Sequence, residues 1–434
     1  MSNAIEGLFS YLKKSVSAFH AIEAACEALD AQGYTRLREC APYAIEKGGK
    51  YYLTRNRSSL IAFRIPKRGF APMQIVASHS DSPVFRVKQH AEISVQGKYT
   101  LLNTERYGGM IMSTWLDRPL SVAGRVLVRD GNRITSRLIN IDRDMMVIPN
   151  LAIHMNREVN DGVKFNAQVD TLPIFGDGSA KDTFDDLIAA AADTDAAHIA
   201  GSDLFLYNRM QPTIWGDGKY ISAPRLDDLE CAYTSLTAFL NAKDTDHINM
   251  LCIFDNEEVG SGTRQGADST LLTDAVERIA DALGADNQQK HACIASSFLV
   301  SADNAHAMHP NHPEKADPVN RPFMNEGVVI KFSANQKYCT DGVSNAIFAG
   351  ILKDADVPVQ YFLNRSDSLG GSTLGNISIA HVSIPSVDIG LAQLAMHSSY
   401  ETAGAQDVEH MVRGLTAFYN TEIKARDDGE YTIE

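Results

Sequence analysis

The chain has 434 residues, of which 44% are hydrophobic and 22% are charged, a composition typical of folded globular proteins and not of disordered ones. Lys and Arg number 40 and Asp and Glu number 54, which gives a formal net charge of −14 at pH 7. Nucleic acids and anionic membrane surfaces are bound through basic faces, so this charge argues against both as partners.

The N-terminal segment predicts one helix over residues 7–30, because Leu8, Tyr11 and Leu12 recur at helical spacing and the pattern continues to Leu29. This start lacks the charged-then-apolar pattern of a secretory signal, and no apolar run approaches the ~20 residues that span a bilayer. The six cysteines are scattered, with no CxxC pair, which favours reduced thiols. Together these features predict a cytoplasmic protein.

Short apolar runs predict buried strands, and polar residues follow each of them. The runs cover residues 73–77, 248–254, 297–300 and 359–363. Continuous apolar strands are typical of a sheet covered by helices on both faces, and such folds bind ligands just past the carboxyl ends of their strands. The predicted fold class is therefore α/β, with a mixed sheet covered by helices.

The middle of the chain predicts an inserted β-rich domain. Residues near 90–175 show strand-type alternation and many turn signals, as in 125–128, and few helical periods. We expect the insert to cover residues 92–220. The catalytic domain would then be discontinuous, formed by residues 1–91 and 221–434.

Two glycine-containing stretches have no obvious catalytic pattern. Residues 176–196 are acidic and rich in Gly and Ala, and they predict a solvated linker followed by a surface helix. Within the Gly-rich loop 365–375, the stretch 369–375 lacks the lysine of a phosphate-binding loop, so we interpret it as a substrate-side loop. No GxSxG elbow supports a serine hydrolase.

Potential metal ligands occur in several separate motifs. Taken alone, each has an ordinary explanation as a helix cap, an acidic turn or a core histidine. Three of the motifs follow candidate strands, however, where ligand sites form. Two imidazoles and three carboxylates can hold two zinc ions if one carboxylate bridges them, and each metal then keeps room for water. The five candidates are His79, Asp227, Glu258, Asp303 and His397.

Ordered motifs run along nearly the whole chain. They are Ser78–Pro83, Tyr107–Gly109, Trp115–Pro119, Ile148–His154, Arg225–Asp228, Asp255–Ser261, Ser301–His306, Val329–Lys331 and Gln393–His397. Together they resemble the aspartyl aminopeptidase family of dinuclear-zinc exopeptidases, and its bacterial members in particular. Small departures are Ser80, where many relatives have Thr, and Asp228, where some have Asn, and we expect neither to touch a ligand.

The resemblance implies the zinc exopeptidase fold and two Zn²⁺ ions per subunit, for which Co²⁺ or Mn²⁺ could substitute. His79, Asp227 and Asp303 would hold one ion, and Asp227, Glu258 and His397 the other, with Asp227 bridging. Asp81 would orient His79. Glu257 would act as general base on a water held by both zinc ions.

The resemblance further implies a metalloaminopeptidase that removes the N-terminal residue from peptides with a free N-terminus and prefers Asp or Glu. Its substrate contacts match His154, His306, Lys331 and Tyr338. The segment 92–220 resembles the family's dimerisation domain. The relatives form tetrahedral dodecamers built from dimers, in which the histidine matching His154 reaches a neighbouring active site.

Other functions remain open at this point. The same di-zinc site could prefer neutral or apolar N-terminal residues, or could belong to a related dipeptidase or deacylase. A non-catalytic shell or cargo protein would retain the fold, but Glu257 and the complete ligand set argue against it. Lys331 in its apolar strand could also be an edge-strand residue with its amine in water.

Overall fold

The computed structural model describes residues 3–368 and 370–434. Met1, Ser2 and Leu369 lie outside the described residues, and Leu369 belongs to the predicted substrate-side loop. In the described part of the chain, no helix has the length and apolar character needed to cross a membrane. The α-helices are α1 Asn3–Lys14, α2 Ala18–Ala31, α3 Phe184–Ala191, α4 Leu226–Asn241, α5 Leu271–Ala282, α6 Asn287–Ala295, α7 Gly342–Asp354, α8 Leu374–His381 and α9 Ala405–Asn420.

The β-strands form four sheets. In chain order the strands are β1 Thr35–Arg36, β2 Lys50–Arg55, β3 Ser59–Arg64, β4 Met73–His79, β5 Val84–Val95, β6 Tyr99–Tyr107, β7 Leu120–Asp130, β8 Arg133–Asn140, β9 Ile174–Asp177, β10 Ile199–Asn208, β11 Thr213–Trp215, β12 Tyr220–Ala223, β13 Ile248–Phe254, β14 Phe298–Ala302, β15 Ala305–His306, β16 Val328–Phe332, β17 Val359–Leu363, β18 Ser386–Gly390, β19 Ala392–Leu394, β20 Glu401–Gly404, β21 Ile423–Asp427 and β22 Glu430–Ile433.

The main sheet has nine strands in the order β1-β2-β3-β13-β4-β14-β18-β16-β17. All four apolar runs predicted as strands lie in it, as β4, β13, β14 and β17. Its central strands β13, β4, β14 and β18 are mutually parallel. Because parallel strands end at the same edge, the residues that follow them meet there.

Helices cover both faces of the main sheet, as predicted for an α/β fold. Successive residues of a strand point to opposite faces. Val76 and Leu251 therefore pack with the helices α4 and α9, whereas Ile75 and Met250 pack with α5 and α8. Burial on both sides explains why these strands are continuously apolar.

A second, antiparallel sheet of six strands has the order β8-β7-β10-β5-β6-β9. It has its own core, in which the edge of Trp115 packs on Phe85 at 5.3 Å between ring centroids. Its strands lie between Val84 and Asn208, so the β-rich middle is present. The exact division at residues 92–220 and the role in dimerisation stay predictions.

The predicted single helix at 7–30 is wrong, because residues 15–17 separate α1 from α2. Ser17 has extended backbone angles, φ −151° and ψ 167°, and occupies the N-cap position of α2 without a side-chain hydrogen bond to the helix backbone. The guanidinium of Arg225 donates to the main-chain oxygens of Leu12 and Ser15, at 3.1 Å each, and so satisfies carbonyls at the end of α1. This distant partner permits the break.

The predicted solvated linker at 176–196 is also wrong in its first residues, because Ile174–Asp177 forms β9 on the six-stranded sheet. The helix α3 that follows is partly buried: Phe184 packs edge-on against Phe175 at 5.7 Å. Between β8 and β9 the backbone makes only isolated bridges within the described residues. The strand-type alternation of this segment therefore predicted more regular structure than the chain forms. Several of its apolar side chains are exposed, among them Leu151, Met155 and Val169.

Candidate metal centre

The carboxyl edge of the main sheet collects the predicted ligands. His79 is the last residue of β4, Asp303 follows β14, and Glu257 and Glu258 form a short turn after β13. Asp227 lies in the first turn of α4, after a residue in the left-handed region, Arg225 at φ 60°. The helix start is thereby turned toward the sheet edge.

Asp227 lies at the centre of this cluster and is 3% exposed. Its Oδ1 lies 3.5 Å from Nε2 of His79, and its Oδ2 lies 3.3 Å from Nε2 of His397. The same nitrogen of His397 lies 3.3 Å from Oε2 of Glu258. The two oxygens of one carboxylate therefore face two different histidines, the arrangement that a bridging ligand requires.

The donor set fits metal ions. His79, Asp227, Asp228 and Asp303 offer ligand atoms within 4.8 Å of one another, and Asp227, Glu258 and His397 form a second such group. Among the described residues, buried oxygens of Asp227 and Glu258 have no hydrogen-bond partner. Buried polar atoms are normally paired, so cations are the natural partners here, and the mixed imidazole and carboxylate set suits zinc.

The electrostatics also favour cations. Burial raises the pKa of Glu258 well above its ordinary value, and the neighbouring Asp227 raises it further. Burial likewise raises the pKa of Asp303, although Lys331 opposes the shift. So many carboxylates cannot all stay ionised together without positive charge between them. Divalent cations would supply that charge.

Asp81 links the histidine to the acidic turn. Its Oδ1 lies 3.3 Å from Nδ1 of His79 and accepts from the backbone N–H of Glu257 at 3.1 Å. Its Oδ2 accepts from the N–H of Glu258 and, at 2.6 Å, from the hydroxyl of Tyr107. Asp81 therefore contacts the ring that it was predicted to orient.

Glu401 is a supporting residue that the sequence reasoning missed. It is 1% exposed, and its two oxygens accept from the backbone N–H groups of Asp227, at 3.1 Å, and His397, at 2.7 Å. The His397 ring is fixed at its other nitrogen, which lies 2.6 Å from the main-chain oxygen of Gly109. The only sequence signal of the supporting role of Glu401 is its position four residues after His397.

The expectation that Asp228 touches no ligand is wrong, because it contacts the candidate ligand His79. Asp228 is fully buried, its Oδ2 accepts from the backbone N–H of His79 at 3.0 Å, and the same oxygen lies 3.9 Å from Nε2 of that ring. The sequence signal for this contact was that Asp228 directly follows the candidate ligand Asp227. The peptide bond between Asp227 and Asp228 is cis.

A cavity of about 140 Å³ opens beside the ligands. His306, Lys331 and Tyr338, all predicted substrate contacts, line it together with Glu257. Burial raises the pKa of Glu257 to about 8, and His79 opposes the shift. Residues 371–373 of the predicted substrate-side loop form part of the wall.

Lys331 is 2% exposed and lies in β16, between β17 and β18. The alternative that it is an edge residue with its amine in water is therefore wrong. Its Nζ donates to the main-chain oxygen of Asn304 at 2.9 Å and lies 3.9 Å from Oδ2 of Asp303. Burial lowers the pKa of this amine, but Asp303 and other groups outweigh burial, so the net shift is upward.

His154 is not brought to the cavity. It is exposed in a turn between β8 and β9, within the segment that carries the exposed apolar side chains. Within one chain, then, the candidate site contains every predicted ligand, Glu257, Asp81 and three of the four predicted substrate contacts.

Comparison with known proteins places the whole chain in one group. Residues 11–419 match the family described as aminopeptidase I zinc metalloprotease (M18). A "Probable M18 family aminopeptidase 2" of Clostridium acetobutylicum is 45% identical, over 97% of this chain and 100% of that protein. The protein of the same description from Clostridium novyi is 44% identical, over 95% of this chain and 98% of that one.

Solved structures agree with this grouping. Ape4, in a cryo-EM structure of the Ape4 and Nbr1 complex, is similar with a TM-score of 0.92 and 33% identity, over 96% of this chain and 85% of that one. The S. cerevisiae mApe1 dodecamer matches with a TM-score of 0.85 and 27% identity, over 96% of each chain. The chain belongs to the M18 family of aminopeptidases and is a zinc-dependent peptide hydrolase.

Proposed function

We propose that this chain removes the N-terminal residue from peptides, with preference for Asp or Glu, at a site of two zinc ions. The observation that carries the proposal is the position of Asp227, whose two oxygens face His79 and His397 beside a cavity that Glu257 and Lys331 line. His79, Asp227 and Asp303 would hold one ion, and Asp227, Glu258 and His397 the other. Co²⁺ or Mn²⁺ could replace zinc at these donors.

When bound, the two cations would supply Lewis acidity, which acidifies water and polarises the scissile carbonyl. Glu257 accepts a proton from the attacking water and delivers it to the departing amide nitrogen. Burial raises the pKa of Glu257, whereas nearby cations would lower it, so the carboxylate is available as a base near neutral pH. The carboxylate of Asp81 accepts a hydrogen bond from the backbone N–H of Glu257 and so holds the backbone of Glu257 in place.

The small volume of the cavity supports removal of a single residue. At about 140 Å³ it is too small for a folded segment. The surrounding carboxylates attract the positively charged free amino group of a peptide. An internal peptide segment lacks that charge, which favours an aminopeptidase over an endopeptidase.

Lys331 supports the preference for an acidic first residue. A buried amine is costly unless it has a function or a partner, and Lys331 contacts its protein partners at the wall of the substrate cavity. In a protein of net charge −14 a local cation is needed to attract an acidic side chain. Tyr338, whose ring centroid lies 5.6 Å from Nζ, and His306 complete this side of the cavity.

The exposed apolar side chains around His154 support assembly of several copies. Leu151 and Met155 are 62% and 77% exposed, and contiguous apolar patches mark interaction surfaces. The similar mApe1 of S. cerevisiae is described as a dodecamer. We place residues 92–220 in a dimer contact, the dimers in a tetrahedral dodecamer, and His154 in the active site of a neighbouring subunit.

A cytoplasmic location is part of the same proposal. All six cysteines are free, and four of them are buried. Reduced thiols are typical of proteins in reducing compartments.

The function is tested with a panel of aminoacyl chromogenic substrates and a long peptide, with and without a chelator, alongside zinc analysis. We expect about two zinc ions per subunit, chelator-sensitive turnover, faster release of Asp and Glu than of Leu, and stepwise shortening of the peptide. Preference for Leu would favour the neutral-residue alternative. Cleavage of dipeptides or acyl amino acids alone would favour a dipeptidase or deacylase.

A further inference from the structure

A buried polar cluster lies behind the cavity wall, outside the candidate ligand set. Glu230, on α4 three residues after Asp227, is fully buried, and Asn304, directly after Asp303, is 3% exposed. Asn304 donates from Nδ2 to Oε2 of Glu230 at 2.8 Å, and its Oδ1 accepts from Sγ of Cys231 at 3.2 Å. Both polar ends of the Asn304 side chain are thus held by α4.

The main chain of Asn304 faces the substrate cavity. Its carbonyl oxygen accepts from Nζ of Lys331 at 2.9 Å, the shortest contact that fixes this amine. The segment packs closely against β18: a Cβ on Gly390 would lie 2.0 Å from the main-chain oxygen of Asp303, and the N–H of Asp303 donates to the main-chain oxygen of Ile389 at 3.1 Å. The side chain of Asn304 is therefore hydrogen-bonded to α4, and the main chain beside it packs against β18.

We propose that Glu230 and Asn304 are positioning residues that set the place of the Lys331 amine and thereby its selectivity for acidic first residues. The Oε1 of Glu230 has no hydrogen-bond partner among the residues that the structure describes. A buried carboxyl without a cation is expensive, which a purely structural position would avoid. Its retained contact is the bond that orients Asn304.

This inference rests on the proposed function, since it assigns Lys331 to the substrate. Its test compares Glu230→Gln, which keeps an oxygen acceptor for Asn304, with Glu230→Met, which has similar length and no strong acceptor. Both are measured on aspartyl and leucyl chromogenic substrates, with zinc content and thermal unfolding as controls. The exposed Glu277→Gln on α5, which removes only a surface ion pair with Lys290, serves as the control.

We expect Glu230→Met to raise KM for the aspartyl substrate about tenfold, the effect of losing one buried hydrogen-bond partner. The leucyl KM, kcat and zinc content should change little, and Glu230→Gln should restore the aspartyl KM. In a double-mutant cycle, Glu230→Met should add little to Lys331→Ala, because it acts through the lysine. Independent, multiplicative losses in the cycle, a loss of zinc, or a Gln variant as impaired as Met would each overturn the proposal.

If Glu230→Met fails to fold, Cys231→Ala and Cys231→Ser carry the same comparison. Ala removes the thiol that donates to Asn304, whereas Ser restores a donor, so only Ala should raise the aspartyl KM. Failure of the proposed function is distinguishable: the wild type would lack zinc-dependent turnover, or Lys331→Ala alone would weaken aspartyl and leucyl substrates equally. Neither outcome depends on Glu230.

Discussion

The backbone N–H of Asp227 donates to Oε2 of Glu401 at 3.1 Å, and the other oxygen of Glu401 accepts from the N–H of His397 at 2.7 Å. One buried carboxylate therefore holds the backbone of two candidate ligands that lie 170 residues apart in the chain. The pairing of β12 with β20, which sets Ala223 opposite Glu401, brings these segments together. The geometry of these candidate ligands therefore depends on a residue outside the candidate ligand set.

Glu401→Gln should weaken zinc binding about 10- to 100-fold, the usual effect of changing a group that supports ligands. The amide would turn an N–H toward one of the two backbone donors. Zinc affinity is measured by competition with a chelator, and the exposed Glu409→Gln on α9 is the control. Unchanged zinc affinity in Glu401→Gln would show that the two ligands are held adequately without it.

Glu257→Gln should keep two zinc ions and lose about 10²- to 10⁴-fold in kcat, as expected when a general base is removed. The residue adjoins the candidate ligand Glu258 but completes neither ligand set. Zinc analysis and steady-state kinetics on the aspartyl substrate are measured on the same preparation. Near wild-type turnover with full zinc content would contradict its assignment as base.

Lys331→Ala should lower kcat/KM on aspartyl substrates by about 30-fold or more and on leucyl substrates far less, because a desolvated charge pair loses one partner. The exposed Lys337→Ala controls for a general change of charge. Equal losses on both substrates would assign Lys331 to the stability of the site and not to selection of acids.

Mixed assemblies test the position of His154. If it acts in a neighbouring subunit, then Glu257→Gln and His154→Phe, each weakly active alone, should regain part of the activity when dissociated and reassembled together. Hybrid sites would combine an intact Glu257 with an intact His154 from the partner. The homogeneous variants, treated in the same way, are the controls. A fully active isolated monomer would contradict this arrangement.

The sequence predicted the main strands, and with them His79, Glu258 and Asp303, because strand burial and strand ends are local features. Asp227 and His397 follow no predicted strand, and they were included because their residue types complete a two-metal ligand set. Continuous apolar runs mark β4 and β13 whatever their neighbours, and polar residues directly after them identify the sheet edge. The support from Glu401 was not predictable in this way, because it arises from strand pairing across the fold. The break between α1 and α2 likewise depends on the distant Arg225. The position of His154 depends, in our proposal, on another subunit.

His20 makes a prediction about stability in acid. Its Nδ1 lies 2.8 Å from the hydroxyl of Ser17, and burial lowers its pKa to about 4, with Arg225 and Arg57 contributing in the same direction. The ordinary value, about 6.5, applies in the unfolded chain. Because the folded pKa is depressed, the contribution to stability is complete above pH 6.5 and is lost as the pH falls toward 4.

A shift from 6.5 to about 4 corresponds to at most about 3.4 kcal/mol at 1.36 kcal/mol per unit, and partial solvent access reduces it to about 2 kcal/mol. Replacement by the uncharged Gln should therefore flatten the fall in unfolding free energy between pH 6.5 and 4 by about that amount. Urea unfolding of chelator-treated protein at several pH values measures it, since acid release of zinc then contributes equally to both proteins. The exposed His312→Gln is the control. A curve parallel to that of the wild type would show that His20 titrates alike in the folded and unfolded chains.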